Sequence, residues 1–227
     1  MSVPRIVSAD EWLAERKELL AAEDQAAEAL ANVRERRREL PAVRVEKGYV
    51  FDGPAGTVRL PDMFEGRLQL IVQHFMFDPA WDSGCPSCAA SADEIGDGVL
   101  GQLMQSDTAF AMVSLAPLAK ITPYKQRKGW SVPWYSSYGT DFNYDFHVTL
   151  DEKKAPVMYD YQSKEEILAT DPDNELVGAD ISVEVPGISC FLRSGDSVFH
   201  TYSTYATEHV SAARSYLELT ALGGRAI

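Results

Sequence analysis

The ten residues Leu68-Gln69-Leu70-Ile71-Val72-Gln73-His74-Phe75-Met76-Phe77 constrain the fold of this chain more than any other stretch. Their nearly continuous apolar character suits a strand covered on both faces, the central position of an α/β sheet. The run leads through Asp78 to Gly84 directly into Cys85-Pro86-Ser87-Cys88. Ala89 to Gln105 then reads as a helix, with Gly96, Gly98 and Gly101 weakening its middle. Thr108 to Leu115 is a second buried strand and Leu118 to Lys128 a second helix. Strand–helix–strand–helix order predicts parallel strands joined by right-handed crossovers.

A Cys-x-x-Cys pair at the mouth of a helix is a chemical arrangement as well as a structural one. The thiolate is the attacking species, and a helix N-terminus stabilises it through unpaired N–H groups and the macrodipole. Pro86 suits the first helical turn, where its missing N–H is not needed. The spacing assigns attack to Cys85, nearer the loop, and resolution of a mixed disulfide to Cys88, one turn inside. Two other readings stay open at this point. The pair could hold zinc with Cys190 and scattered histidines, or it could be inert core cysteine. Asp78, Asp82, Asp93, Glu94 and Asp97 surround the motif in sequence and oppose ionisation of a thiol.

The flanks read more simply. Ala9 to Leu40 forms a long helix, opened by a capping-box pattern of Ser8 and Glu11 and stopped by Pro41. Trp12, Leu19, Ala26, Val33 and Leu40 recur every seven residues as one apolar stripe on a charged rod. That stripe suits a dimerisation arm or a helix lying across its own domain. Residues 1–41 are therefore expected as an N-terminal helical arm and 42–227 as the main domain. Val43 to Val50 and Thr57 to Leu60 read as strands around a Gly/Pro turn, Trp130 to Tyr135 as a short strand, and Ser136 to Phe146 as an aromatic loop. Glu165 to Leu168 is a short helix. Ile188 to Leu192 and Ser197 to Tyr202 make a hairpin, and Glu208 to Leu219 a closing helix.

Composition narrows the partners. A formal charge of −13 argues against nucleic acid and anionic membrane, both of which need basic patches. No stretch approaches the apolar length of a membrane helix, and the N-terminus lacks the apolar run of a secretory signal. Three cysteines do not make a secreted disulfide framework. The expected location is the cytoplasm.

Several segments together carry a resemblance. They are His74-Phe75-Met76-Phe77 with Trp81 and Gly84-Cys85-Pro86-Ser87-Cys88, then Ser114-Leu115-Ala116-Pro117-Leu118-Ala119-Lys120. Next come Gly129-Trp130, Pro133-Trp134, the run Ser136 to Phe146, and Phe199-His200-Thr201-Tyr202-Ser203-Thr204-Tyr205. From about Glu39 to the C-terminus the chain resembles a bacterial thioredoxin-like family of unknown function, usually labelled predicted dithiol-disulfide oxidoreductases. More distantly it is similar to peroxiredoxins, whose insertion between core strands the segment Val132 to Val148 resembles. The resemblance implies an α/β thioredoxin-like fold with a central mixed sheet, a peroxiredoxin-like insertion and an N-terminal amphipathic helix.

It also implies where substrate would dock. Thioredoxins carry a cis-proline before the strand facing the dithiol. Ser189 is expected at that place here, with Pro186 three residues too early and Cys190 close to the dithiol. Trp81, Trp134 and Tyr138, among other aromatics, are expected either to wall a substrate pocket over Cys85 or to form a satellite core under the insertion. Peroxiredoxins place Thr or Ser three residues before the attacking cysteine. Asp82 stands there in this chain and argues against peroxidase activity.

The expected function is thiol–disulfide exchange through Cys85 and Cys88, without a cofactor. The substrate would be a disulfide-containing protein or a small thiol or disulfide, and the N-terminal helix would suit a homodimer. The alternative is a thioredoxin-fold module that binds a small molecule or a metal, copper or zinc, with non-redox cysteines.

Overall fold

The computed structural model describes residues 5–177 and 182–207. These fall into two compact units, one within residues 5–41 and the other from Ala42 onward.

The first unit is helix α1 (Ala9–Arg38). Ser8 caps it, its hydroxyl accepting from the Glu11 N–H at 3.2 Å. Glu11 does not complete the capping box, because its carboxylate pairs with Arg5 at 2.8 Å. Asp10 and Glu11 in the first turn and Arg36 to Arg38 in the last complement the macrodipole. No residue of α1 is buried, and the stripe residues Trp12, Leu19 and Val33 are exposed.

In the second unit the elements are β1 (Val43–Arg44), β2 (Val50–Gly53), β3 (Gly56–Arg59), β4 (Gln69–His74), α2 (Pro86–Asp93), α3 (Asp97–Gln105), β5 (Thr108–Ser114), α4 (Leu118–Lys128), β6 (Trp134–Ser136) and α5 (Phe142–Asp145). Then follow β7 (Thr149–Leu150), β8 (Met158–Tyr159), β9 (Gln162–Ser163), α6 (Lys164–Thr170), β10 (Val183–Glu184), β11 (Gly187–Ser194) and β12 (Ser197–Thr204). The main sheet has eight strands in the order β1-β12-β11-β4-β5-β6-β2-β3. β4, β5 and β6 run parallel, while β11 pairs antiparallel with β4 and with β12. A central strand leading into a dithiol helix, a parallel neighbour on one side and an antiparallel hairpin on the other is the thioredoxin-like arrangement. The insertion, expected at Val132 to Val148, lies between α4 and β11.

Period-two alternation sorts the core onto two faces. From β5, Ala109, Ala111 and Val113 join Leu70, Val72, Phe64, Phe142 and Phe191 on one side. Met112 points to the other side and joins Phe75, Phe77, Cys88, Ala89, Ala92, Ile121, Tyr124 and Trp134. The helix expected over Ala89 to Gln105 is two helices, broken at Glu94 to Gly96, where Gly96 serves as N-cap of α3 in extended conformation. The aromatic loop contains the single turn α5. The helix expected at Glu208 to Leu219 lies outside the described residues.

Candidate active site: the Cys85–Cys88 dithiol

Two local features hold Cys85 at the N-cap of α2. Its N–H donates to the Met76 carbonyl at 3.0 Å, tying the helix start back to the end of the central strand. Gly84 lies so close to the Phe75 ring that a Cβ there would sit 2.5 Å from Cε1. Glycine is required by this approach, not by its torsions. The intervening loop is folded on itself: the Ala80 N–H donates to Asp78 Oδ1 at 2.6 Å and the Trp81 N–H to the Asp78 carbonyl at 3.0 Å. The Lys120 ammonium, reaching across from α4, donates to the carbonyls of Pro79 (2.6 Å) and Trp81 (2.8 Å).

The two thiols differ sharply. Cys85 is partly exposed, with its sulfur 3.0 Å from the Ser87 hydroxyl; Cys88 is buried, and neither is in a disulfide. Partial burial pushes the Cys85 thiol up. Hydrogen bonds from the Ser87 hydroxyl, the N–H groups of Cys88 and Ser87 and the Cys88 thiol outweigh it, leaving Cys85 below its ordinary value. Burial drives Cys88 the other way, up to about 12; the Met76 N–H opposes this, and the charges of Cys85 and Glu184 add to it.

Glu184 was not singled out by the sequence. Its side chain is buried on β10, and burial lifts its carboxyl to about 8. A hydrogen bond from Thr149 opposes that lift and the charge of Asp78 reinforces it. Thr149 in turn accepts from Asn143 Nδ2 at 3.2 Å, and Asn143 Oδ1 accepts from Ser137 at 2.7 Å. The only advance signal was Asn143 among loop aromatics; the strand pair Glu184–Thr149 that assembles the chain is long-range.

A cleft of about 230 Å³ opens beside Cys88, lined by Gln73, His74, Ser87, Ser91, Pro186 and Gly187 among others. Gln73 Oε1 is buried there and meets no donor among the described residues. A Cβ on Gly187 would meet Val148 at 2.9 Å and His74 at 3.3 Å, so the strand passes close to the imidazole. His74 Nε2 lies 2.8 Å from Ser189 Oγ, Ser189 Oγ 2.8 Å from Ser203 Oγ, and Ser203 Oγ 2.8 Å from His200 Nε2. Burial, with His200 nearby, pushes the His74 imidazole down to about 3, so it is neutral.

These positions correct several expectations. Pro186, not Ser189, immediately precedes the strand facing the dithiol and lines the cleft, through a trans peptide bond. Ser189 pairs in register with Val72 and is buried in the histidine–serine chain, away from the cleft lining. Trp134 is also core: it is 2% exposed, packs on Phe75, Trp130 and Tyr124, and donates its indole N–H to Ser114 Oγ at 2.9 Å. Of the expected pocket walls, Trp81 and Tyr138 are exposed, Trp81 on the dithiol loop and Tyr138 in the turn after β6. Cys190 lies three residues along β11 from Gly187, about 10 Å by strand rise from the cleft. Among the described residues no three His, Cys, Asp or Glu side chains form a metal-holding group. No described helix is long and apolar enough to cross a membrane.

Strand order and the dithiol at a helix N-cap define a thioredoxin-like protein. Over residues 1–227 the chain matches the family described as bacterial protein of unknown function (DUF899), and it belongs to that family. No curated protein matches it. Solved structures give likenesses at low identity. Peroxiredoxin Q from Xanthomonas campestris is 12% identical, with 77% of this chain and 95% of that one covered and a TM-score of 0.47. Peroxidoxin BcpB from Mycobacterium tuberculosis is 12% identical over 75% and 92%, with a TM-score of 0.46. A candidate protein disulfide isomerase from Bacteroides thetaiotaomicron is 17% identical over 79% and 92%, with a TM-score of 0.42.

Proposed function

We propose that this protein is a cytoplasmic thiol–disulfide oxidoreductase. The Cys85 thiolate attacks one sulfur of a disulfide substrate, breaks the S–S bond and expels one half as a thiolate, leaving a mixed disulfide. Cys88 then loses its proton and attacks the Cys85 sulfur, forming the Cys85–Cys88 disulfide and releasing the second half. The protein gives up two electrons and two protons, and the substrate becomes two thiols. A reduced dithiol donor would return the enzyme to its starting state by the reverse exchange.

The observation that carries this reading is the asymmetry of the pair. Cys85 is accessible and its thiolate favoured by hydrogen bonds, whereas Cys88 is buried and held protonated until needed. Attack therefore falls to Cys85 and resolution to Cys88. The proton of Cys88 requires an acceptor, and the Glu184 carboxyl, whose charge acts on that thiol, titrates in the right range.

The test is alkylation and mass spectrometry across defined redox buffers on metal-free protein. A reversible Cys85–Cys88 disulfide with a midpoint of roughly −120 to −270 mV is expected. Thiols that stay reduced throughout, or a Cys85→Ser variant with full reductase activity, would overturn the proposal.

A further inference from the structure

We infer that the protein carries a second binding site, separate from the dithiol, for a small neutral aromatic molecule bearing a hydroxyl or N–H donor. A cavity of about 360 Å³ opens beside β1 and β12, lined by Tyr49, Phe146, Met158, Tyr161, His200 and Tyr205 among others. No residue of the dithiol loop or of α2 lines it. Its volume falls within the range of small-molecule pockets, roughly 300–1,000 Å³.

The aromatic walls are held in place by their own hydroxyls. Tyr49 donates to Asp145 Oδ2 at 2.7 Å, Tyr161 to the Ser203 carbonyl at 2.6 Å and Tyr205 to the Phe146 carbonyl at 3.1 Å. Their donors are thus spent, and the rings remain as apolar surface. Tyr161, in the turn between β8 and β9, has a φ of 65°, a left-handed conformation that is costly for a bulky residue. It is nevertheless 61% exposed, with its ring 5.7 Å from that of Tyr205. A ring fixed in this way loses little entropy when another ring packs on it.

The polar lining sets the charge of the occupant. Lys47 is paired with Asp145 at 2.7 Å, and the other two charges, Arg44 and Glu46, are opposite in sign. Burial holds the His147 imidazole below its ordinary value, with Asp145 opposing, so it adds no charge near neutral pH. The lining therefore carries no net charge and favours a neutral ligand.

His200 supplies the hydrogen bond. Its Nε2 lies 3.1 Å from the Tyr202 carbonyl and 2.8 Å from Ser203 Oγ. A carbonyl can only accept, so Nε2 carries the ring proton and Nδ1 keeps its lone pair. Burial keeps this imidazole below its ordinary value, with the Tyr202 bond opposing. Phe146, edge-on at 5.3 Å, and Phe191 at 5.6 Å flank the ring. Nδ1 has no partner among the described residues and is not one of their buried unpaired atoms. It is an accessible acceptor on an aromatic lining whose phenol donors are already used.

The experiment is equilibrium dialysis of the full-length protein at about pH 7.5 against three probes of one shape: 2-naphthol, 2-methoxynaphthalene and 2-naphthoate. Naphthol is expected to bind tightest. Methoxynaphthalene, which lacks the donor, should bind about fivefold more weakly, and the anionic naphthoate at least about tenfold more weakly. Naphthol, and not methoxynaphthalene, should shift the His200 Nδ1 resonance in the nitrogen-15 spectrum. Tyr161→Gly suits the left-handed φ while removing the ring, and is expected to weaken naphthol at least about fivefold. No naphthol bound at about 1 mM, naphthoate as tight as naphthol, or an unmoved Nδ1 resonance would each overturn the site. Unchanged affinity in Tyr161→Gly would place the ligand elsewhere and overturn it as well.

Discussion

Two chains of polar side chains, one ending on a carboxyl whose charge acts on Cys88 and the other on an imidazole lining the cleft beside it, differ in what burial does to their last member. One runs Ser137–Asn143–Thr149–Glu184, the other His200–Ser203–Ser189–His74. Burial penalises the charged form of either terminal group. For the carboxylic acid that means a rise, from the ordinary range to about 8; for the imidazole it means a fall, to about 3. The same physical cost therefore moves Glu184 into the range where protons are exchanged at neutral pH and moves His74 out of it. Glu184 is therefore the group whose protonation changes near neutral pH, while His74 stays a neutral partner of Ser189.

The largest consequence is in stability against pH. Glu184 has a folded value above its unfolded one, so its contribution is complete below about 4.5 and is lost as pH rises to about 8. His74 has the opposite sense: its contribution is complete above about 6.5 and is lost as pH falls toward 3. Urea unfolding is therefore expected to show wild type losing stability relative to Glu184→Gln between pH 5 and 8, at about 1.4 kcal/mol per pH unit. Relative to His74→Gln it should lose stability only below about pH 6.5. Parallel curves for both pairs would dissolve the contrast.

Next in size is the purely structural member. Ser189→Ala removes the hydrogen bond at His74 Nε2 and is expected to cost about 1–3 kcal/mol in urea unfolding. The pH dependence of thiol exchange should not move. A shifted profile would put the imidazole chain into the chemistry.

A kinetic separation follows. With an aromatic disulfide that releases a coloured thiolate, the first release reports Cys85 and the second Cys88. Glu184→Gln is expected to slow the second about tenfold at pH 8, somewhat less than a typical general-base effect, and to leave the first within twofold. Ser203→Ala should alter neither. The smallest effect is a fine adjustment: the Thr149 hydrogen bond lowers the Glu184 value, so Thr149→Val should raise it. The midpoint of the second release would move to higher pH by less than about one unit. A downward move would show that Thr149 does not donate to the carboxylate.

Much of the frame was legible in the sequence because short-range rules write it. The apolar run through β4, the Ser8 cap, α4 over Leu118–Lys128 and the hairpin of β11 and β12 each depend on residues within one element or turn. The glycines near residue 96 signalled weakness, and the structure turns that weakness into a break between α2 and α3. The dithiol was legible for the same reason: strand, loop, two cysteines and a helix start are contiguous.

The surroundings of the dithiol were not legible. Ser189 looked available and Pro186 misplaced, because the count along the chain gave no register; pairing Gly187 with His74 and Ser189 with Val72 fixed which one faces the cleft. Trp134 looked like a pocket wall, yet Ser114, twenty residues away, gives its indole a partner inside the core. Glu184 looked like one acid among many until β10 met β7 and buried it. The sequence by itself determined the central strands and the helix that carries Cys85 and Cys88. The tertiary structure alone decided which polar side chains lie in low dielectric beside them. Burial and strand register are set by residues 35 to 115 positions apart, beyond the reach of any local pattern.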